Sequence, residues 1–490
     1  MSNRPQRCNP LGGHQALYTD LYELTMAKGY VDAGKDDHRA CFDYFFRSNP
    51  FEGGYVVFAG LQTLLDQLEG FRFQEEELSY LSEQGFEEEF LEVLEEFEFT
   101  AEIKAPREGD VVFPFAPVVR VCGDMIEAQI VETLLLNVLN FESLVATKAS
   151  RMRRQAGQRK LIDFGLRRAQ GYGGIQASRA AIVGGFDSTS NVHSAFCHGL
   201  EPTGTQAHSW VQSFDSELEA FRAYADSFPD QTILLVDTYD TLDSGVPNAI
   251  TVAKELEEEG HKLVGIRLDS GDLAYLAKHT RKMLDEAGLD YVKIAASNQL
   301  DEHVIRSLTD QGAPIDVFGV GTQLVTAYDS PALDGVYKLA EYDGESRIKL
   351  SENPEKVNFP GKKQVVRLVD AEGKFYGDAV ARADECDGSD GPHIEKMFHP
   401  GHPLQKNVEV AGYEQKPLLE TVMEGGEVVA ERRSVDEIAA YTRRRLARLP
   451  EEHKRFENPH IYKVGLSEAL LEDRNDAIET AQETRAKESS

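Results

Sequence analysis

Between residues 160 and 320 the chain repeats one texture: a short apolar run, then Gly, Asp or Ser, then a helical stretch. The apolar runs fall at 160–164, 181–183, 232–236, 263–268, 291–295 and 315–318, and a weaker one at 194–200. Helical spacing marks 173–180, 208–228, 248–259, 272–287 and 301–311 between them. A strand buried on both faces reads as an unbroken apolar run, and alternation with helices joins such strands in parallel. Repeated strand–helix units of this kind predict an irregular α/β (TIM-like) barrel, closed or nearly so, over 158–340. In that architecture chemistry sits where strands end and loops begin.

The pattern changes on either side. A helix is predicted at 15–30, with Tyr18 and Tyr22 four apart on one face. Strands follow at 39–47 and 55–58, then two acidic helices over 75–99 and a β-rich segment at 100–123. A long helix over 124–157 closes the first segment, 1–157. Its end carries Lys148, Arg151, Arg153 and Arg154. These cations complement the negative end of a helix or form a basic lip over a phosphate site. From about 337 the units stop and the sequence alternates like antiparallel β, at 336–340, 347–350, 364–368, 374–377 and 417–422. A basic helix at 435–448 and an acidic tail from 466, expected to fray, complete it. The economical arrangement is an α/β domain built from the N-terminal segment and 341–490, beside the barrel.

Composition narrows the function classes. The 490 residues carry a formal charge of −32, which argues against nucleic acid or an anionic membrane as partner. An anionic substrate would need local cations in its pocket. We find no uninterrupted apolar run of bilayer length, and the first residues lack a signal core. Cys8, Cys41, Cys122, Cys197 and Cys386 are scattered, with no CxxC pair. Neither a disulfide framework nor a zinc knot is indicated, and a cytoplasmic setting is expected.

The predicted strand ends share one chemistry. They read IDFGLRR, GGFDSTSN, GTQAHSW, DTYDT, RLDSGD, SN and GVGT. One such end is an ordinary helix cap; the whole set is harder to explain that way. Arg167 and Arg267 offer planar forks for carboxylate or phosphate. Gly319 to Thr322 and Ser297-Asn298 offer backbone N–H groups and hydroxyls to a phosphate. Asp269 and Asp272 accept from sugar hydroxyls or hold Mg²⁺. Phe164 and Tyr22 are able to sandwich a flat ring. His208 is an imidazole beside small hydroxyl residues, fit to act as nucleophile or base. The set fits a phosphorylated sugar and an aromatic acid.

At these residues the chain resembles a known family. TDLYELTMA, IDFGLRRAQG, GGFDSTSN, GTQAHSW, DTYDT, GIRLDSGDL and FGVGTQLVT are similar, in order, to the motifs of nicotinate phosphoribosyltransferases. YKLAEYDG and RIKLSENPEK extend a looser likeness. The resemblance implies condensation of nicotinate with 5-phosphoribosyl 1-diphosphate to nicotinate mononucleotide and diphosphate, a salvage step toward NAD. It implies coupling to ATP through a phosphorylated His, matching His208, with Mg²⁺ as cofactor and no ligand set assigned to a resident metal. It implies Tyr22 from a neighbouring subunit, Thr205 and Arg267 near nicotinate, and Thr322 near the ribose 5-phosphate. Phe164 would stack on the pyridine, with Arg167, Asp187, Asp269, Ser297, Asn298, Gly319 and Gly321 in the pocket. A homodimer with a shared site follows. Asp237 is our choice for the carboxylate that orients His208, with Asp240 second. The alternative substrate is nicotinamide. An aldolase reading would need a Schiff-base lysine, and only Lys293 tempts. A ligand-binding regulator without turnover is the non-enzymatic rival.

Overall fold

The computed structural model describes residues 14–350, 358–387, 391–399 and 407–488. The described residues divide into two compact units, one formed by Val145–Pro331, the other by the residues up to Leu144 and from Ala332 onward.

The first unit is built on six parallel strands, here β1 (Lys160–Asp163), β2 (Ser188–Thr189), β3 (Ile233–Leu235), β4 (Gly265–Leu268), β5 (Lys293–Ser297) and β6 (Val317–Val320). Their order across the sheet is β2-β1-β6-β5-β4-β3. Leu161, Leu234, Ile266, Leu268, Ile294, Ala296, Phe318 and Val320 are almost completely buried, so these strands sit in the core as their apolar runs require.

The expected barrel does not close. Among the described residues the sheet is open, with β2 and β3 as its edges. Two predicted strands are helices, and beyond β2 there is only a single parallel bridge, Thr189 to Pro202, among the described residues. Residues 181–183 end the helix Gly173–Val183, whose residues from Ala177 onward are all buried. A helix buried all round shows the same apolar run as a buried strand. Residues 194–200 fall largely in the helix Val192–His198. Its cap, Asn191, accepts from the Ser194 N–H, and Gly199 ends it at φ +67°. The single helix expected over 208–228 is two, His208–Gln212 and Glu217–Ser227, the second capped by Ser216.

The second unit holds a seven-stranded antiparallel sheet. Its centre pairs Arg39–Phe46 with Val119–Asp124 on one side and with Gly335–Tyr342 on the other. A four-stranded sheet is formed around Lys363–Val369 and Phe375–Arg382. Arg367, 0% exposed, donates to Asp110 and Asp378 there. Cys41 and Cys122 are direct cross-strand partners and form a disulfide, a pairing that the scattered cysteines did not indicate. The tail predicted to fray is the helix Glu468–Glu488, seated by Leu470 in a cluster with Val365, Val380 and Leu466. Tyr18 precedes the helix Leu21–Asp32, so it shares no helical face with Tyr22. The stretch Met125–Ala156 is long and apolar enough to cross a membrane, but about two-thirds of it is buried inside the protein.

Candidate functional site

The strand ends of the first unit converge on one guanidinium. Arg267 lies on β4 between Ile266 and Leu268, and alternation turns its side chain to the opposite face from theirs. Its Nε donates to Ser297 Oγ at 2.8 Å, at the end of the neighbouring strand β5. One terminal nitrogen donates to Thr205 Oγ1 at 2.8 Å and, more weakly, to the Gln206 carbonyl at 3.5 Å. The other donates to Asp269 Oδ1 at 2.8 Å. The guanidinium also lies 5.4 Å from the Phe164 ring centroid, a cation–π distance. Four acceptors occupy four of the five N–H groups; the fifth meets no acceptor among the described residues.

Gly319 fixes where the Phe164 ring lies. A Cβ there would stand 2.4 Å from Phe164 Cε2, so only glycine admits the ring. Gly321 is similarly close, with the Phe164 carbonyl 3.2 Å from its notional Cβ. Beneath Phe164 a buried network holds the turn: Asp163 accepts from Gly165 N, Ser178 Oγ and Thr189 Oγ1 at 2.7–2.8 Å. Burial pushes the Asp163 carboxyl above its ordinary range, against the pull of those donors. Arg167, on the turn after Phe164, is exposed and meets no acceptor among the described residues.

His208 opens the short helix His208–Gln212. Trp210 anchors that helix by donating to the Ala220 carbonyl and packing on Phe214 and Tyr224; it is a structural neighbour of the histidine. The His208 Nδ1 is 3.1 Å from Thr238 Oγ1. Its Nε2 is 3.8 Å from Asp269 Oδ2 and 4.0 Å from Asp237 Oδ1, close for charges but long for hydrogen bonds. Asp237 is buried, and its other oxygen accepts from Asp269 N and Ser270 Oγ. Its Oδ1 has no hydrogen-bond partner among the described residues. A buried, unpaired carboxylate oxygen is costly unless something meets it. The Asp269 carboxyl is held below its usual value: burial pulls it up, but Ser297, Arg267 and His208 together outweigh that.

The expected residues therefore sort in three ways. Phe164, Thr205, His208, Asp237, Arg267, Asp269 and Ser297 are linked by the contacts above. Asn298, Gly319, Gly321 and Thr322 stand at the ends of β5 and β6, with Asn298 in the left-handed region at φ +85°. Asp187 is not brought to them. Its carboxylate is spent on Arg153 and on the Leu161 N–H. The reason is the misread strand: with 181–183 helical, Asp187 precedes β2 and lies level with the start of β1, not with its end. Asp240 and Asp272 cap the turns that follow them. Tyr22 belongs to the other unit, half-exposed on the helix Leu21–Asp32. Thr238 and Ser270 were given no role by sequence, because a hydroxyl at a strand end looks like a cap.

The basic lip is also revised. Lys148 and Arg151 are buried and paired with Glu302, and Arg153 is spent on Asp187 and three carbonyls. Glu302, His303 and Asp329 stand within 4.8 Å of one another, close enough to hold a metal ion. The Lys148 ammonium bridges those two carboxylates instead.

Three family models match the chain. Residues 17–140 match the nicotinate phosphoribosyltransferase N-terminal domain, 159–374 the nicotinate phosphoribosyltransferase family, and 362–474 the C-terminal domain. The chain is 45% identical to the nicotinate phosphoribosyltransferase of Bacillus subtilis, covering 92% of this chain and 93% of that one. It is 39% identical to that of Dictyostelium discoideum, covering 95% and 89%. Its fold is similar to the crystal structure of human nicotinic acid phosphoribosyltransferase, with TM-score 0.84 and 33% identity over 94% of this chain and 99% of that one.

Proposed function

The chain belongs to the nicotinate phosphoribosyltransferase family, and from that membership we propose how its strand-end loops carry the reaction. The protein is an enzyme that joins nicotinate to 5-phosphoribosyl 1-diphosphate in NAD salvage. The pyridine nitrogen gives its lone pair to the anomeric carbon. The C1–O bond to diphosphate breaks, and diphosphate departs with that electron pair. Such a nucleophile needs no base, so the protein supplies alignment, ring capture and charge.

In our reading Phe164 is the platform for the pyridine, held by Gly319. Arg267, with its one unspent N–H, and Thr205 meet the nicotinate carboxylate; a charged hydrogen bond of this kind contributes about 1.5–3 kcal/mol. Arg167, Ser297, Asn298, Gly321 and Thr322 receive the sugar diphosphate. Asp237 Oδ1 is a buried carboxylate oxygen with no hydrogen-bond partner among the described residues, and Asp269 Oδ2 faces the same His208 Nε2; these two carboxylates would hold Mg²⁺, an ion that prefers oxygen ligands. Held there, Mg²⁺ would supply positive charge to the departing diphosphate.

His208 acts on ATP. Its ring lone pair attacks the terminal phosphorus, ADP leaves with the electrons of the broken P–O bond, and the phosphoryl group later passes to water. Asp237 and Asp269, facing Nε2, orient the ring and stabilise positive charge on it. The observation that carries the reading is the single guanidinium tying Thr205, Asp269 and Ser297 together beneath Phe164, with His208 facing the same aspartate. Replacing His208 by Ala tests it. We expect loss of ATP hydrolysis and a roughly hundredfold or greater fall in product formation at low substrate, the scale of losing a nucleophilic group. Unchanged coupling of ATP hydrolysis to product would refute the role. The nicotinamide alternative is not favoured, since the relatives matched over nine-tenths of the chain carry nicotinate in their names. We further read the enzyme as a cytoplasmic homodimer in which Tyr22 completes the partner's site.

A further inference from the structure

We propose that Lys148 is a positioning residue that sets the spacing of the two loops receiving the sugar diphosphate. Lys148 lies in the helix Glu132–Ala156 and is completely buried. Its Nζ is 2.8 Å from Glu302 Oε2 and 2.5 Å from Asp329 Oδ2. Three residues on, Arg151 Nε donates to Glu302 Oε1 at 2.9 Å. Glu302, itself buried, is the first residue of the helix Glu302–Asp310, so it stands just after the loop that carries Ser297 and Asn298 from β5. Asp329 follows the short helix Thr322–Val325 and therefore the loop that carries Gly321 and Thr322 from β6. β5 and β6 are adjacent, with Ser297 opposite Gly319. One ammonium thus fastens the far ends of two neighbouring loops to the same point.

Energy does not explain such a group. Buried ion pairs are seldom more stabilising than apolar side chains of the same volume, whereas removing one partner leaves a costly unpaired charge. A methionine in the core would fill the space. What the charge adds is direction: it fixes both carboxylates, and hence both loops, in one arrangement. The β5 loop needs such a hold, because Asn298 and Gln299 are consecutive non-glycine residues at φ +85° and +49°. That conformation persists only where the surroundings impose it. Lys148 is enclosed, so its effect passes through Glu302 and Asp329.

The inference rests on our reading of those loops as the sugar-diphosphate site, and its test separates the two. Three variants are compared with the wild type: Lys148→Met, Lys148→Arg, and the triple Lys148→Met/Glu302→Gln/Asp329→Asn. Melting temperature, binding of ribose 5-phosphate by calorimetry, and the KM values for both substrates are measured. The single methionine variant is expected to melt lower, and the triple to recover most of that loss. Both should bind ribose 5-phosphate and the sugar diphosphate about tenfold or more weakly, with KM for nicotinate within about twofold of wild type. Lys148→Arg should lie between. A purely structural clamp would recover binding together with stability, so a triple variant with wild-type affinity for ribose 5-phosphate overturns the proposal. If Lys148→Met does not fold, the triple and Lys148→Arg variants decide. A wild type with no affinity for ribose 5-phosphate and no turnover overturns the underlying reading as well.

Discussion

At the scale of single residues the site is a set of groups that are each already committed. Arg267 shows this best: three of its hydrogen bonds are at 2.8 Å. A guanidinium held in this way cannot swing, so it presents its remaining N–H from a fixed place. The identity of Arg267, His208 and Phe164 as strand-end chemistry was legible in the sequence, because few other roles bring such side chains to such positions. Their mutual contacts were not. Gly319 illustrates the difference. It reads as a glycine for phosphate approach, yet its nearest demand is the Phe164 ring, 2.4 Å from where a Cβ would be. Substituting Gly319 by Ala is therefore expected to push that ring aside. Overpacking of this kind costs about 1–3 kcal/mol. Losing the stacked ring should raise KM for nicotinate roughly two- to tenfold, given about 0.5–1.5 kcal/mol for an aromatic pair. KM for the sugar diphosphate should change far less; steady-state kinetics with each substrate varied in turn checks this.

At the scale of elements, the long strands and helices were readable and the short buried ones were not. The runs at 232–236, 263–268, 291–295 and 315–318 each overlap a strand. The run at 181–183 does not, because small apolar residues buried on every side carry no period that separates helix from strand. The Asn191 cap and Gly199 were available as helix signals for 192–198 and outweigh its apolar character. The start of the helix Glu132–Ala156 offers a prediction of its own. The Glu132 carboxyl is pushed up to about 7, chiefly by burial, with Lys338 opposing and Glu23 adding to the rise. A carboxyl raised in the folded state favours folding at low pH, and that contribution is lost as pH rises from the unfolded value near 4.5 through about 7. Glu132→Gln should then melt higher than wild type at pH 8, with the gain vanishing near pH 4.5. Thermal melts across that range measure it; a constant difference at all pH values would contradict the assignment.

At the scale of the whole molecule, the homodimer reading makes a direct claim. Leu21, Tyr22 and Met26 leave an apolar face of the helix Leu21–Asp32 exposed at 66%, 45% and 40%, and soluble proteins seldom leave such faces uncovered without use. If Tyr22 completes the site of a second copy, Tyr22→Ala and His208→Ala proteins are each defective alone. After mixing and subunit exchange, half the dimers are mixed, and each mixed dimer holds one site with neither lesion. Activity should then rise to about a quarter of wild type. A site completed within one chain would recover nothing on mixing.

By itself the sequence determined that this chain alternates parallel strands with helices, that the strand ends gather residue types able to bind anions and flat rings, and which family motifs those ends resemble. All three are local properties, written in apolar periodicity and in residue type. Tertiary structure decided that the sheet stays open, that Cys41 meets Cys122, that Asp187 serves Arg153, and that Lys148 and Arg151 face Glu302. These depend on which distant segments meet. A buried cation and a ligand-binding cation have the same letter in a sequence, and only the carboxylates packed against them tell which is which.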